Sequence, residues 1–121
     1  MNKYSVAEII NTEVNTSVTY KSDLEQYGER EYWSEAGRFG DCEDYALLKK
    51  RKLIEQGFDK SGLHLACCWV ETWEYHCVLL VETDKGVFVL DNRHAWPKVP
   101  GDLPYKWHKA WQDGVWREIS F

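Results

Sequence analysis

The sequence predicts a single α+β domain over residues 1–121, in which a helix opening on a cysteine packs against an antiparallel β-sheet. Three features carry that expectation: a helical apolar stripe with start and stop signals from Cys42 to Gln56, three strand-like runs between Leu63 and Asp91, and the turn tetrapeptide Thr83-Asp84-Lys85-Gly86 between the last two runs. A chain of 121 residues suits one hydrophobic core. Its 44% hydrophobic and 29% charged residues are ordinary globular usage, which excludes a disordered or fibrous chain.

Taken in order, Ser5 to Asn15 reads as a helix because Val6, Ile9, Ile10 and Val14 recur at helical intervals, with Ser5 and Glu8 spaced as a capping box. Thr16 to Gly40 mixes Tyr20, Tyr27, Tyr32, Trp33 and Phe39 with charges and glycines and keeps no period, so it reads as loop with short helical turns. The helix from Cys42 to Gln56 is the clearest element. Asp41 suits the N-cap, Glu43 and Asp44 place negative charge on the first turn, the basic run Lys49 to Lys52 follows, and Gly57 suits the stop. Cys42, Ala46 and Leu53 form one stripe, flanked by Leu47 and Ile54, that is expected to face the core. After a loop at Asp59 to Gly62, the runs Leu63 to Glu71, Tyr75 to Glu82 and Val87 to Asp91 are expected to pair antiparallel. Beyond Asn92, Pro97, Pro100, Gly101 and Pro104 break regularity, and Tyr105 to Phe121 is expected to add a short helix or a final strand.

Charge and hydropathy narrow the partners. Fifteen Lys and Arg against twenty Asp and Glu give a formal charge of -5 with no basic stripe, so nucleic acid is not an expected partner. The longest uncharged apolar stretch, Leu63 to Val70, is far short of the roughly 20 residues of a membrane span, so no membrane partner is expected either. Met1 to Ile10 lacks the basic start and apolar run of a signal peptide, which points to the cytoplasm. Cys67 and Cys68 are adjacent, and the four cysteines read as thiols. Seven Trp and seven Tyr are expected mainly in the core, with one or two lining a cleft.

Cys42 is the first candidate for chemistry. A helix N-terminus sets unsatisfied N–H groups and partial positive charge beside the sulfur, which favours the thiolate and suits an oxyanion. Hairpin parity supplies its partners. A two- or four-residue turn centred on Asp84 and Lys85 sets Val78 opposite Asp91, so His76, Val78, Val89 and Asp91 share one face, whereas a three-residue loop would put His76 and Asp91 on opposite faces. His76 and Asp91 are then diagonal neighbours, with Cα atoms about 7–8 Å apart and within reach of an imidazole–carboxylate hydrogen bond. Cysteine, histidine and aspartate in these roles make a nucleophile, a base and the group that orients the base.

These residues also resemble a family. Val14-Asn15, Tyr27-Gly28, Tyr32-Trp33, the run Gly40-Asp41-Cys42-Glu43-Asp44-Tyr45-Ala46, Glu74-Tyr75-His76-Cys77-Val78-Leu79-Leu80 and Val89-Leu90-Asp91-Asn92 look like the bacterial transglutaminase-like cysteine peptidases. The resemblance implies a papain-like, transglutaminase-like fold and a catalytic triad of Cys42, His76 and Asp91. It implies hydrolysis of a peptide or isopeptide bond in a protein or peptide substrate, with no cofactor required for the chemistry and Trp33 as a substrate-contacting residue. Trp33 is followed here by Ser34-Glu35-Ala36-Gly37, where secreted relatives often carry a threonine-proline pair. The length is like that of stand-alone versions in bacteriophages, which implies a host cytoplasm. Asp41, Glu43 and Asp44 match an acidic cluster that binds calcium in adhesin-cleaving members. Calcium takes six to eight oxygens, so three carboxylates can only begin such a site, and the same acids also serve a helix N-terminus as caps.

Other readings of the same residues stay open at this level. An amidase, deamidase or transglutaminase would use the same triad, and a non-catalytic protein-binding module would keep the fold and the aromatic cleft. A zinc site built from His64, Cys67, Cys68, His76 and Cys77 is disfavoured because neighbouring strand residues point to opposite faces. His94 and His108 lie in irregular segments and read as surface or aromatic-packing residues, and Asn92 reads as a turn cap in preference to a substrate contact.

Overall fold

The computed structural model describes residues 2–17, 19–20, 39–40 and 42–121, of which 19–20 and 39–40 are described as backbone. Helix α1 spans Lys3–Ser17. Its start is capped by Asn2, whose Oδ1 accepts the Ser5 N–H at 2.8 Å, and not by the expected Ser5–Glu8 box: an asparagine three residues upstream takes the N-cap role and makes Ser5 part of the first turn. Ala7, Ile10, Asn11 and Val14 are its buried stripe. Within the stretch expected to be loop, β1 (Thr19–Tyr20) pairs in parallel with β2 (Phe39–Gly40), which leads the chain to the next helix.

Helix α2 spans Cys42–Glu55 and ends in a Schellman turn. The Phe58 N–H reaches Leu53 O at 3.1 Å and the Gly57 N–H reaches Ile54 O at 2.9 Å, with Gly57 at a φ of 97° that glycine adopts without strain. Leu53 and Phe58 are both buried beside this turn. The stripe on Cys42, Ala46 and Leu53 faces the core as expected, but it widens toward Tyr45, Leu48 and Lys49, because α1 packs on that side. Ile54, expected on the flank of the stripe, is 42% exposed. A short 3₁₀ turn, Lys60–Gly62, capped by Asp59, replaces the expected loop.

Five antiparallel strands form one sheet in the order β5-β4-β3-β6-β7: β3 Leu63–Trp69, β4 Tyr75–Thr83, β5 Gly86–Leu90, β6 Lys106–Gln112 and β7 Val115–Glu118. The tail therefore holds two strands and no further helix. Its hairpin turns on Asp113 and Gly114, both at positive φ (51° and 82°), the conformation that two-residue turns between twisted strands require. Leu65 and Cys67 of β3 and Cys77, Leu79 and Val81 of β4 pack under α1 and α2. On the opposite face Ala66, Val78, Leu80, Val89 and Ala110 are covered by Leu103, Trp107 and Ile119. Leu63 and Leu79 on one face, and Val78 and Val89 on the other, are at most 2% exposed, so both faces of the central strands are held in one register. No described helix is long and apolar enough to cross a membrane.

Candidate active site

The β4–β5 hairpin pairs Thr83 with Gly86 and Leu79 with Leu90, and β5 ends there, so Asp91 stands just past its strand. This parity keeps His76 and Asp91 on the same side, and His76 Nε2 lies 2.7 Å from Asp91 Oδ1. Asp91 also closes the following turn, because its Oδ1 accepts the Arg93 N–H at 2.9 Å and its carbonyl accepts the His94 N–H at 3.2 Å. Asn92, read from the sequence as the cap of this turn, stands within it and lines the cleft, while Asp91 supplies the cap. Asp91 holds it because a carboxylate two residues ahead can accept the amide directly.

Cys42 opens α2 and is 8% exposed. Its sulfur accepts the Cys77 N–H at 3.3 Å, which sets the first turn of the helix against β4 next to His76. Glu43 Oε2 lies 3.7 Å from the same sulfur. Cys42, Val70, Thr72, Glu74, His76 and Arg93 line one cavity of about 330 Å³ at the end of the sheet where β3 and β5 finish and β4 begins. At that end a residue from the helix side and one from the opposite face reach the same space. Because Nε2 of His76 is held by Asp91, Nδ1 is the ring nitrogen left for the sulfur. A larger cavity, about 410 Å³, lies away from this point around Lys50, His64 and Trp111, with no cysteine in its lining.

Asp91 is 1% exposed, yet it stays ionised. Burial works to raise its pKa, but hydrogen bonds from His76, Tyr105 and the Arg93 N–H, together with the charge on His76, hold it down to about 2. Sequence reasoning missed two of its neighbours. Tyr105 donates its hydroxyl proton to Asp91 Oδ2 at 2.5 Å, and Lys49, fully buried on α2, feels the charge of Asp91. Tyr105 stands in a proline-broken segment with no period of its own. Its only sequence signal is that it alternates with Trp107 at the entrance to β6.

The remaining expectations fall as follows. Trp33 and Asp41 lie outside the described residues. Glu43 and Asp44 occupy the first turn of α2, with the Asp44 side chain buried. Calcium favours hard carboxylate oxygens, so the donor chemistry fits, but among the described residues no group of three His, Cys, Asp or Glu side chains comes together as a metal site. Cys67 faces the helices and Cys68 the opposite side, and none of the four cysteines is in a disulfide. His108, expected in an irregular segment, is part of β6, where it hydrogen-bonds the Tyr75 hydroxyl at 2.7 Å and packs on Trp69. His94 packs beside the Tyr105 ring.

The profile of the family described as bacterial transglutaminase-like cysteine proteinase matches residues 1–120. Among solved structures, the chain is similar to Legionella pneumophila LapG in its calcium-bound form (TM-score 0.74, 22% identity, covering 93% of this chain and 66% of that one) and in its EGTA-treated form (TM-score 0.77, 21% identity, covering 95% and 66%). The chain thus spans about two thirds of the length of the structures it matches. No curated protein sequence matches it.

Proposed function

The chain belongs to the bacterial transglutaminase-like cysteine proteinase family, and from that premise we propose that it hydrolyses a peptide or isopeptide bond with Cys42 as nucleophile, His76 as base and Asp91 as the group that orients the base. The observation that carries this reading is the 2.7 Å contact of His76 Nε2 with a buried carboxylate, on a histidine that shares a cavity with the thiol at a helix start. Nδ1 of His76 takes the proton from Cys42, and the sulfur attacks the substrate carbonyl. The tetrahedral oxyanion is met by N–H groups at the start of α2, the Cys42 N–H among them. The imidazolium then gives its proton to the leaving amine, and water, activated by the same ring, releases the acid from the thioester. Asp91 stabilises the imidazolium and fixes which nitrogen faces the sulfur.

The arrangement also separates Cys42 from the other thiols. Burial, with the charge of Asp91, pushes Cys68 up to about 12, and the contact with Cys67 together with burial raises Cys77. Iodoacetamide at neutral pH is therefore expected to modify Cys42 before Cys67, Cys68 and Cys77. His76→Ala is expected to slow that reaction, and to lower turnover of a cleaved peptide by about 10²–10⁴-fold. Alkylation of Cys42 no faster than of the buried thiols would leave a protein-binding module as the better reading.

Calcium belongs to this proposal as a structural ion. Glu43 and Asp44, with Asp41 ahead of them, would contribute carboxylates on the turn that presents Cys42 and would hold that helix start in place. No chemical step passes through the ion.

A further inference from the structure

We propose that Tyr105 is a positioning residue for the Cys42 reaction: its hydroxyl, steadied by Arg93, fixes Oδ2 of Asp91 so that Oδ1 stays aimed at His76. The proposal rests on the Cys42, His76 and Asp91 reading above. A carboxylate is free to rotate about its terminal torsion, which is broad and roughly two-fold, so one partner on one oxygen does not define its plane. Asp91 is held on both oxygens. Oδ1 accepts from His76 Nε2 at 2.7 Å and from the Arg93 N–H at 2.9 Å, and Oδ2 accepts from the Tyr105 hydroxyl at 2.5 Å.

The hydroxyl is itself held. Arg93 Nη1 donates to Tyr105 Oη at 3.1 Å, which leaves the hydroxyl proton for Asp91, and Arg93 is anchored on its far side by Glu71. His94 Nε2 lies 3.2 Å from the same oxygen. The sequence of contacts therefore runs from exposed Glu71, through Arg93 and Tyr105, to the carboxylate that orients His76. A tyrosine kept only for packing does not need this. Its ring already meets Trp107 at a centroid distance of 5.9 Å and His76 at 6.1 Å, and is only 8% exposed.

Tyr105→Phe keeps the ring and removes the hydroxyl, so it separates positioning from packing. Two readouts are taken on folded protein: the NMR signal and solvent exchange of the His76 Nε2 proton, and the rate of Cys42 alkylation by iodoacetamide at pH 7. The expected result is a shifted, faster-exchanging His76 proton and alkylation slower by about tenfold, the lower end of what a hydrogen bond to a charged group contributes. His76→Ala and Asp91→Asn are measured beside it. If His76→Ala is alkylated at the wild-type rate, the triad reading falls and takes this proposal with it. If His76→Ala is slow while Tyr105→Phe matches the wild type in both readouts, Tyr105 alone is overturned. Should Tyr105→Phe not fold, Arg93→Met tests the same link from the other side of the hydroxyl. A moved His76 signal there supports the proposal, and an unmoved one overturns it.

Discussion

Lys49 has no exposed surface and no hydrogen-bond partner among the described residues, on the same helix that presents Cys42. Burying an ammonium with no hydrogen-bond acceptor, only the Tyr45 ring 5.9 Å from its nitrogen, costs far more than a surface lysine repays, and the group answers by giving up its proton. Burial lowers its pKa to about 7 against the upward pull of Asp91. The unfolded chain keeps the ordinary lysine value, so between pH 7 and about 10.5 it binds more protons than the folded protein, and stability rises with pH across that window. Below pH 7 the penalty is fully present. Lys49→Met, close in volume and without charge, is therefore expected to raise stability by about 1–3 kcal/mol at pH 6, the range for an unsatisfied buried group, and by less at pH 9. Urea unfolding of both proteins at the two pH values measures this. A variant less stable than the wild type at pH 6 would mean that the attraction to Asp91 outweighs desolvation.

At the scale of elements, the site depends on which residues of β4 and β5 pair with one another. A two-residue turn at Asp84 and Lys85 makes the parity that puts Asp91 on the side of His76, and this was legible because side chains alternate along a strand. The helix from Cys42 was legible for a similar reason, since its stripe, acidic first turn and stop glycine agree with one another. Tyr105 and Lys49 were not. Contacts between a carboxylate and groups 14 residues downstream or on another element follow from how the sheet closes, which no local period encodes. The same argument fixes what an insertion does. One glycine added between Asp84 and Lys85 is expected to be absorbed in the turn, because buried Val89 and Leu90 hold the register and three-residue hairpin loops are common. One glycine added between Leu90 and Asp91 leaves the ladder intact and turns the carboxylate away from His76. Melting temperature is expected to change little in the second variant while Cys42 alkylation slows as in Asp91→Asn. Equal alkylation rates in the two insertions would show that register does not place the aspartate.

For the whole molecule, the open relation is between the stability of the fold and the acids beside the nucleophile. Among the described residues, α1 and α2 cover one face of a five-stranded sheet, and the cleft lies where the start of α2 meets the beginning of β4. An ion seated on Glu43 and Asp44 would therefore be linked to folding of the entire domain, because its ligands come together only when α2 is docked. Ions that bind the folded state alone stabilise it by mass action, about 2.7 kcal/mol at a hundredfold excess over the dissociation constant. Acids that only cap the helix respond to no ion. Under the calcium proposal, melting is expected to move upward in excess calcium, to fall back with EGTA, and to lose this dependence in Asp44→Asn. Alkylation of Cys42 should follow the same pattern, since removing the ion leaves like charges crowded beside the sulfur and disfavours the thiolate. Coincident melting curves in calcium and EGTA would assign the acids to capping alone. The Cys42, His76 and Asp91 assignment would survive that result, because none of its distances involves Glu43 or Asp44.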